Sequence, residues 1–292
     1  MRGARAARAG TGGQLGLDEL DQDFVPRPLA RVTPARLGTW DDCPRRYRLT
    51  YLDRPAPVRA GARAAATLGA VVHLALRALF DGPVAGRTPG AAAALVDRHW
   101  SAEGFRDAGQ AAVYRERARG WLADYAAELG GTDEPVGVER WVSAPAEGMV
   151  VEGRVDRIDG RGGELVVVDY KTGGRVPTVE DARASRALAL YAHATARTLH
   201  RRCRRVELHH LPSGTVAAWE HDDVSLQEHL AAAGASAAAA TAAAAALAEG
   251  ADPAVTFPAR PGERCGSCEV RRHCPEGRAA APEARPWAGL AP

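Results

Sequence analysis

Residues 149–174 read MVVEGRVDRIDGRGGELVVVDYKTGG. Val150, Val151, Val155 and Ile158 form one apolar-rich run, and Leu165, Val166, Val167 and Val168 form a second. Between them stands Asp159-Gly160-Arg161-Gly162-Gly163, whose glycines allow the positive φ that a tight hairpin turn needs. The stretch predicts two strands joined by a short turn. Asp156 falls near the end of the first strand, and Asp169 and Lys171 fall near the end of the second. Side chains two residues apart in a strand share a face, so Asp169 and Lys171 point to the same side. If Asp156 leans to that side too, two carboxylates and one ammonium converge. Such a set can hold a divalent cation and place a positive charge beside a metal-bound water.

The plain alternative is an exposed hairpin with solvated charges. The composition of the chain weighs against it. Lysine and arginine total 38, and Lys171 is the only lysine. Arginine is a planar, permanently charged fork, whereas lysine is a compact point charge whose pKa its surroundings can move. A solvated ion pair would accept arginine, so the retained lysine points to a chemical role for Lys171.

The chain has 292 residues, enough for one large domain or two small ones, and its 46% apolar content can build a core. The net charge of +2 gives no global signal for nucleic acid. A local positive cleft remains open, because arginines are abundant and unevenly spread. No apolar run is expected to reach the length of a membrane span, and no apolar segment of a secretory signal follows the arginine-containing N-terminus. A cytoplasmic location is therefore expected. Five cysteines in such a chain suggest metal or cluster ligation more than disulfides.

Upstream of the hairpin, residues 1–28 lack periodicity and are expected to be a disordered tail, with the folded domain over 29–276. In LGTWDDCPRRYRLTYL, residues 37–52, Thr39 is expected to cap a short helix starting near Trp40. Cys43 follows, with Pro44 and the basic-aromatic cluster Arg45, Arg46, Tyr47 and Arg48. Residues 66–80 predict an amphipathic helix with Leu68, Val72, Leu76 and Leu79 on one stripe. His73 lies on the shoulder of that stripe, where a lone histidine is ordinarily a hydrogen-bonded structural residue. Helices over 91–100 and 111–129 supply packing. A strand over 135–144 carries Glu139, which taken alone reads equally well as a solvated carboxylate.

Downstream, 179–203 is mostly helical, with Leu188, Tyr191, Thr195 and Leu199 sharing a face. Cys203 has no partner at metal-ligand spacing and reads as an ordinary residue. A second hairpin over 206–211 and 215–220 extends the sheet. The alanine-dominated stretch 225–249 predicts a long helix, given the helix propensity of alanine. Residues 277–292 read as a Pro/Ala tail.

Residues 260–278, RPGERCGSCEVRRHCPEGR, give Cys265-x2-Cys268-x5-Cys274. Three cysteines this close are a ligand signal, and Cys43 is the natural fourth. Four thiolates can hold tetrahedral zinc or an iron–sulfur cluster, and spacing alone does not decide between them. His273 is the substitute ligand if Cys43 lies far off. Ligation from Cys43 to Cys265 closes a very long loop and so removes unfolded-state entropy, which makes the group a staple more than a redox catalyst.

Taken in order, these motifs resemble the PD-(D/E)XK nucleases of the RecB exonuclease type. GRVDRIDGRGGELVVVDYKTGG is similar to the core motif of that family, including the Thr172-Gly173 that follows the lysine, and Cys43-Pro44-Arg45-Arg46-Tyr47 is similar to its opening stretch. The resemblance implies that Asp156 and Asp169 bind metal and that Lys171 assists catalysis. It implies that His73, in a Gly69-x3-His73 pattern, is a further ligand for Mg2+ or Mn2+. It also points to Glu139, one strand from the core motif, and to Tyr191. The latter matches the tyrosine of a Q-x3-Y motif whose glutamine position is Ala187 here. AddB-type and CRISPR-adaptation nucleases of this superfamily hold a 4Fe-4S cluster on one cysteine before the core and a C-x2-C-x5-C after it. The same order here implies that group at Cys43, Cys265, Cys268 and Cys274, with Zn2+ as the alternative.

The implied fold is α/β, a restriction-endonuclease-like core with a mixed central sheet flanked by helices, plus a cluster lobe joining the N- and C-terminal segments. The implied activity is metal-dependent hydrolysis of DNA, by a single-strand exonuclease of repair, recombination or processing. The chain shows no helicase motif, so unwinding would fall to a partner helicase. Arginines near Cys43 and at 201–205 would grip phosphates without reading sequence. A catalytically idle DNA-binding or scaffold subunit of a helicase–nuclease complex is the reading from another class, and a CRISPR-adaptation-type nuclease is a further one. Intact Asp156, Asp169 and Lys171 favour an enzyme.

Overall fold

The computed structural model describes residues 29–129 and 134–290. The tail expected over 1–28 lies outside the described residues. Strand β1 (Ala30–Val32) leads into helices α1 (Pro34–Asp42) and α2 (Pro44–Tyr47) and a π-helical turn over Arg48–Leu52. Three longer helices follow, α3 (Ala64–Asp81), α4 (Pro89–His99) and α5 (Ala108–Glu128). Then come β2 (Gly137–Ala146), β3 (Met149–Arg161) and β4 (Glu164–Lys171), the crossover helices α6 (Val179–Ala184) and α7 (Arg186–Leu199), and the hairpin β5 (Cys203–His210) and β6 (Thr215–Glu220). The long helix α8 (Asp223–Ala248) and the short α9 (Pro253–Thr256) and α10 (Pro275–Ala280) complete the order.

The helix expected to start near Trp40 begins earlier. Thr33 caps α1 by accepting from the Arg36 amide, with Pro34 at the first helical position. Thr39 lies inside the helix and donates its hydroxyl to the Ala35 carbonyl at 2.9 Å. The central hairpin also runs further than its glycine-rich turn suggested. β3 continues through Arg161, and Gly162 and Gly163, at φ +56° and +87°, make the two-residue turn. Two consecutive positive φ values match the hand of the strand twist.

The six strands form one mixed sheet. β2 pairs antiparallel along the length of β3, β4 antiparallel with β3, β5 parallel with β4, and β6 antiparallel with β5. β1 pairs parallel with β3 over Met149, Val150 and Val151, on the edge that β4 occupies from Arg157 onward. Residues 152–156 therefore lie between two neighbours on that edge. This gap opens at Asp156.

Two layers of helix cover the sheet. On one face Leu37 of α1, Leu188 and Leu190 of α7, and Leu230 and Ala233 of α8 pack against Val142, Val151, Val155, Leu165 and Val167. On the other, Leu68, Val72, Leu76 and Leu79 of α3, the stripe read from the sequence, pack with Leu122 of α5 against Val166, Val168 and Tyr170. A third apolar cluster joins Tyr47 and Phe257 to Ala240 and Ala243 of α8, and so seats the N- and C-terminal segments together.

Two of these helices, Ala64–Asp81 and Asp223–Ala248, are long and apolar enough by composition to cross a membrane, contrary to the expectation that no apolar run approaches that length. In α3 the apolar side chains are the stripe packed on the sheet, and in α8 alanine supplies most of the hydropathy. The segment read as a Pro/Ala tail is tied to the body over its described part. The Ala284 amide donates to the Gly266 carbonyl at 2.7 Å, the Ala64 amide donates to the Pro286 carbonyl at 3.1 Å, and Leu290 packs beside α3.

Candidate active site

The ladder between β2 and β3 pairs Val138 with Arg157 and Arg140 with Val155. Glu139 and Asp156 stand opposite each other between those pairs, and Glu139 takes a left-handed backbone at φ +47°. The face alternation of β3 breaks at the same place. Val155 and Ile158 both pack in the α7-side core, although they are three positions apart and strict alternation would put them on opposite faces. Arg157 reaches the other face, where its guanidinium lies 4.8 Å from the centre of the Phe80 ring. Asp156 and Glu139 turn towards α3 beside this break.

His73 of α3 meets them there. Its Nδ1 lies 3.4 Å from Asp156 Oδ1 and 3.7 Å from Glu139 Oε1. Ligand atoms of His73, Glu139 and Asp156 all fall within 4.8 Å of one another. Burial works to lower the His73 pKa, but contact with Asp156 and the charges of Asp169 and Glu139 raise it above its ordinary value. Asp156 Oδ2 accepts the Tyr170 amide at 3.1 Å, which fixes the carboxylate on the end of β4. Gly69 of α3 faces the loop after β4. A Cβ on Gly69 would touch Thr172 Oγ1 at 3.6 Å.

Asp169 and Lys171 lie alongside. Lys171 Nζ is 2.6 Å from Asp169 Oδ2 and makes an ion pair with it. Burial raises the Asp169 carboxyl above the usual carboxylate range, the Lys171 charge opposes the rise, and the Asp156 charge adds to it. Of the metal-ligand set read from the sequence, then, His73 and Asp156 are in contact, Glu139 completes the tight group, and Asp169 is turned to the lysine. Two carboxylates, an imidazole and the nearby carboxylate of Asp169 are a donor set that suits a hard divalent ion.

Tyr191 approaches from α7 on the opposite side. Its ring fills the space over Gly153, where a Cβ would come within 2.8 Å of Cε1 and 3.0 Å of Oη. Burial and the charges of Asp156 and Asp169 push its phenol up to about 12. The position of Glu139 in the tight group had no signal in periodicity, because the left-handed turn that aims it breaks the strand pattern. Arg154, unremarked in the sequence, lies at the rim with Nε 2.6 Å from Glu139 Oε2.

The four cysteines expected to act together, Cys43, Cys265, Cys268 and Cys274, are free thiols that line one cavity, with Arg45, Arg46, Arg260, Arg264 and Arg271 around them. The Gly277 amide donates to Cys274 Sγ at 3.3 Å. Gly277 lies against the set, with the Cβ position there 3.4 and 3.5 Å from Cys274 Sγ and Cys265 Sγ. Burial raises the Cys268 and Cys274 thiols above their ordinary range. His273 points elsewhere, with Nε2 3.0 Å from the Val58 carbonyl. Cys203 is buried in β5, away from this set.

The family model described as the PD-(D/E)XK nuclease superfamily matches residues 31–275. No curated protein matches the chain.

Proposed function

The chain belongs to the PD-(D/E)XK nuclease superfamily, and from that premise we propose that it is a metal-dependent DNA nuclease that hydrolyses single strands, with His73, Glu139, Asp156 and Asp169 as the metal-holding set and Lys171 as the catalytic cation. The observation that carries this reading is the convergence of His73, Glu139 and Asp156 within 4.8 Å beside the Asp169–Lys171 pair. The RecB-like order of motifs supports a role as an exonuclease in DNA processing beside a helicase.

A divalent ion bound there supplies a water of lowered pKa and neutralises charge on the phosphodiester. The residues of the chain do the rest. Glu139, Asp156 and His73 would hold that ion. Lys171 Nζ, held beside Asp169, orients the attacking water and stabilises the extra negative charge that develops on the phosphoryl oxygens. Tyr170, through its amide, keeps Asp156 from swinging away.

The cysteine set is proposed to hold a 4Fe-4S cluster that staples the two ends of the chain. What supports the cluster is the order and spacing of the four cysteines, which line one cavity with five arginines. A brown protein with broad visible absorbance is expected, and a colourless one holding zinc would contradict the cluster.

The function is tested with the full chain and a labelled single-stranded oligonucleotide. Mn2+-dependent degradation, stopped by chelation and by Lys171→Ala with DNA binding retained, is the expected result. Degradation that survives Lys171→Ala would overturn the catalytic assignment.

A further inference from the structure

The sheet carries a second feature next to the metal-ligand group. Trp141 of β2 and Arg154 of β3 are direct cross-strand partners. Their neighbours along the strands, Val142, Val151 and Val155, turn into the α7-side core, so Trp141 and Arg154 share the opposite face. The helices α3 and α5 cover that face where β4 lies, through Val166, Val168 and Tyr170. They leave the β2–β3 arm open: the Trp141 residue is 56% exposed and the Arg154 side chain 60%. A large aromatic at that exposure costs free energy unless something covers it.

Arg154 also connects this face to the candidate site. Its Nε lies 2.6 Å from Glu139 Oε2, while the other oxygen of Glu139 faces His73 at 3.7 Å. The guanidinium end of this pair is open to solvent at 60% while the carboxylate end is 10% exposed, so a phosphate arriving at the group can reach Arg154 from the solvent side. Directly opposite sits an indole with a free face. An arginine next to an exposed aromatic is the pairing that grips one backbone phosphate and stacks one unpaired base. A base held in a duplex is stacked on its neighbours and has no face to offer.

Resting on the nuclease reading above, we propose that Trp141 and Arg154 form the seat for the nucleotide next to the scissile phosphate, with the base stacked on Trp141 and its phosphate held by Arg154. The substrate class this selects is single-stranded DNA.

The test uses the full chain with Ca2+ in place of Mg2+, and measures binding of a fluorescent oligo(dT) and of a blunt duplex by anisotropy. Trp141→Ala is expected to weaken oligo(dT) binding about tenfold, as base stacking on an aromatic predicts, and to leave duplex binding unchanged. Trp141→Phe keeps most of the affinity. Arg154→Ala weakens binding and lowers the salt dependence by about one counterion. Mn2+ affinity of Trp141→Ala, read by calorimetry, stays that of the wild type. If Trp141→Ala melts early, Trp141→Leu, which keeps apolar bulk without an aromatic face, carries the same expectations. Unchanged oligo(dT) affinity in a folded Trp141 variant, beside a wild type that cleaves, overturns the seat and leaves the nuclease standing. Equal losses on oligo(dT) and duplex overturn the single-strand assignment. A wild type that neither binds nor cleaves oligo(dT) overturns both readings.

Discussion

Glu139 and Asp156 face each other across β2 and β3 at the one position between Gly137 and Ala146 where the ladder forms no backbone pair. At this unpaired position, with Glu139 at a left-handed φ, both carboxylates meet His73. Backbone strain at a non-glycine residue costs on the order of 1–3 kcal/mol and persists where the surrounding structure imposes it. Here it gathers negative charge at one point, which a cation would relieve.

That relation predicts the metal affinities of two variants. Asp156→Asn and Glu139→Gln should each lower Mn2+ affinity at least tenfold in a calorimetric titration. An unaltered affinity in Glu139→Gln would show that the opposed pair does not act as one site. Acidification should weaken binding as well. His73 and Asp169 both hold protons more tightly than usual, so affinity should start to fall at a higher pH than ordinary imidazole and carboxylate ligands would give. His73→Gln should move that fall to lower pH.

Lys171→Arg should be almost as inactive as Lys171→Ala. The guanidinium is a wide planar fork that cannot be placed as a point charge beside Asp169. Single-turnover rates on single-stranded DNA should drop by about 100-fold or more, in line with the loss of one preorganised charge stabiliser. Near-normal rates for the arginine variant would make Lys171 a plain surface charge.

Gly153 and Tyr191 should be coupled. Gly153→Ala drives a methyl into the Tyr191 ring, and overpacking of this kind costs about 1–3 kcal/mol. In a Tyr191→Ala background the same change should cost little, so a double-mutant cycle on unfolding free energies should be strongly non-additive. Simple additivity would mean that the ring moves aside freely.

Acid stability should depend on Glu207. Burial raises its pKa, but hydrogen bonds from His209, Arg205 and Arg161 bring it down to about 2. The unfolded chain therefore binds the proton first, and the stability that Glu207 contributes is complete above about pH 4.5 and lost as the pH falls towards 2. His221, held down to about 4 by burial and by His229, works in the same direction between its ordinary value and 4. Glu207→Gln should cost roughly 2 kcal/mol near pH 7, less than a fully buried broken pair because Arg161 and Arg205 reach solvent. Denaturant unfolding should show the gap to wild type closing in acid, and a gap independent of pH would contradict the assignment.

Much of this architecture was legible in the chain. The valine runs of β3 and β4 and the stripe of α3 follow from periodicity alone, because one face of each meets a core. Lys171 announced itself by being the only lysine. The start of α1 was misjudged because Thr39, a good capping residue, instead bonds back to Ala35 inside the helix. Glu139 is reached only through the family resemblance, and Arg154 not at all, for a different reason. Their relation depends on a local break in the pairing of two strands, and no residue type marks it.

The most direct test of the central claim is where Mn2+ binds in crystals of the full chain, located by its anomalous scattering. The account predicts a peak enclosed by His73, Glu139 and Asp156, beside Asp169 and Lys171, that disappears in Asp156→Asn. A wild-type crystal soaked in Mn2+ that shows no peak among those side chains, or one that persists in Asp156→Asn, would contradict it.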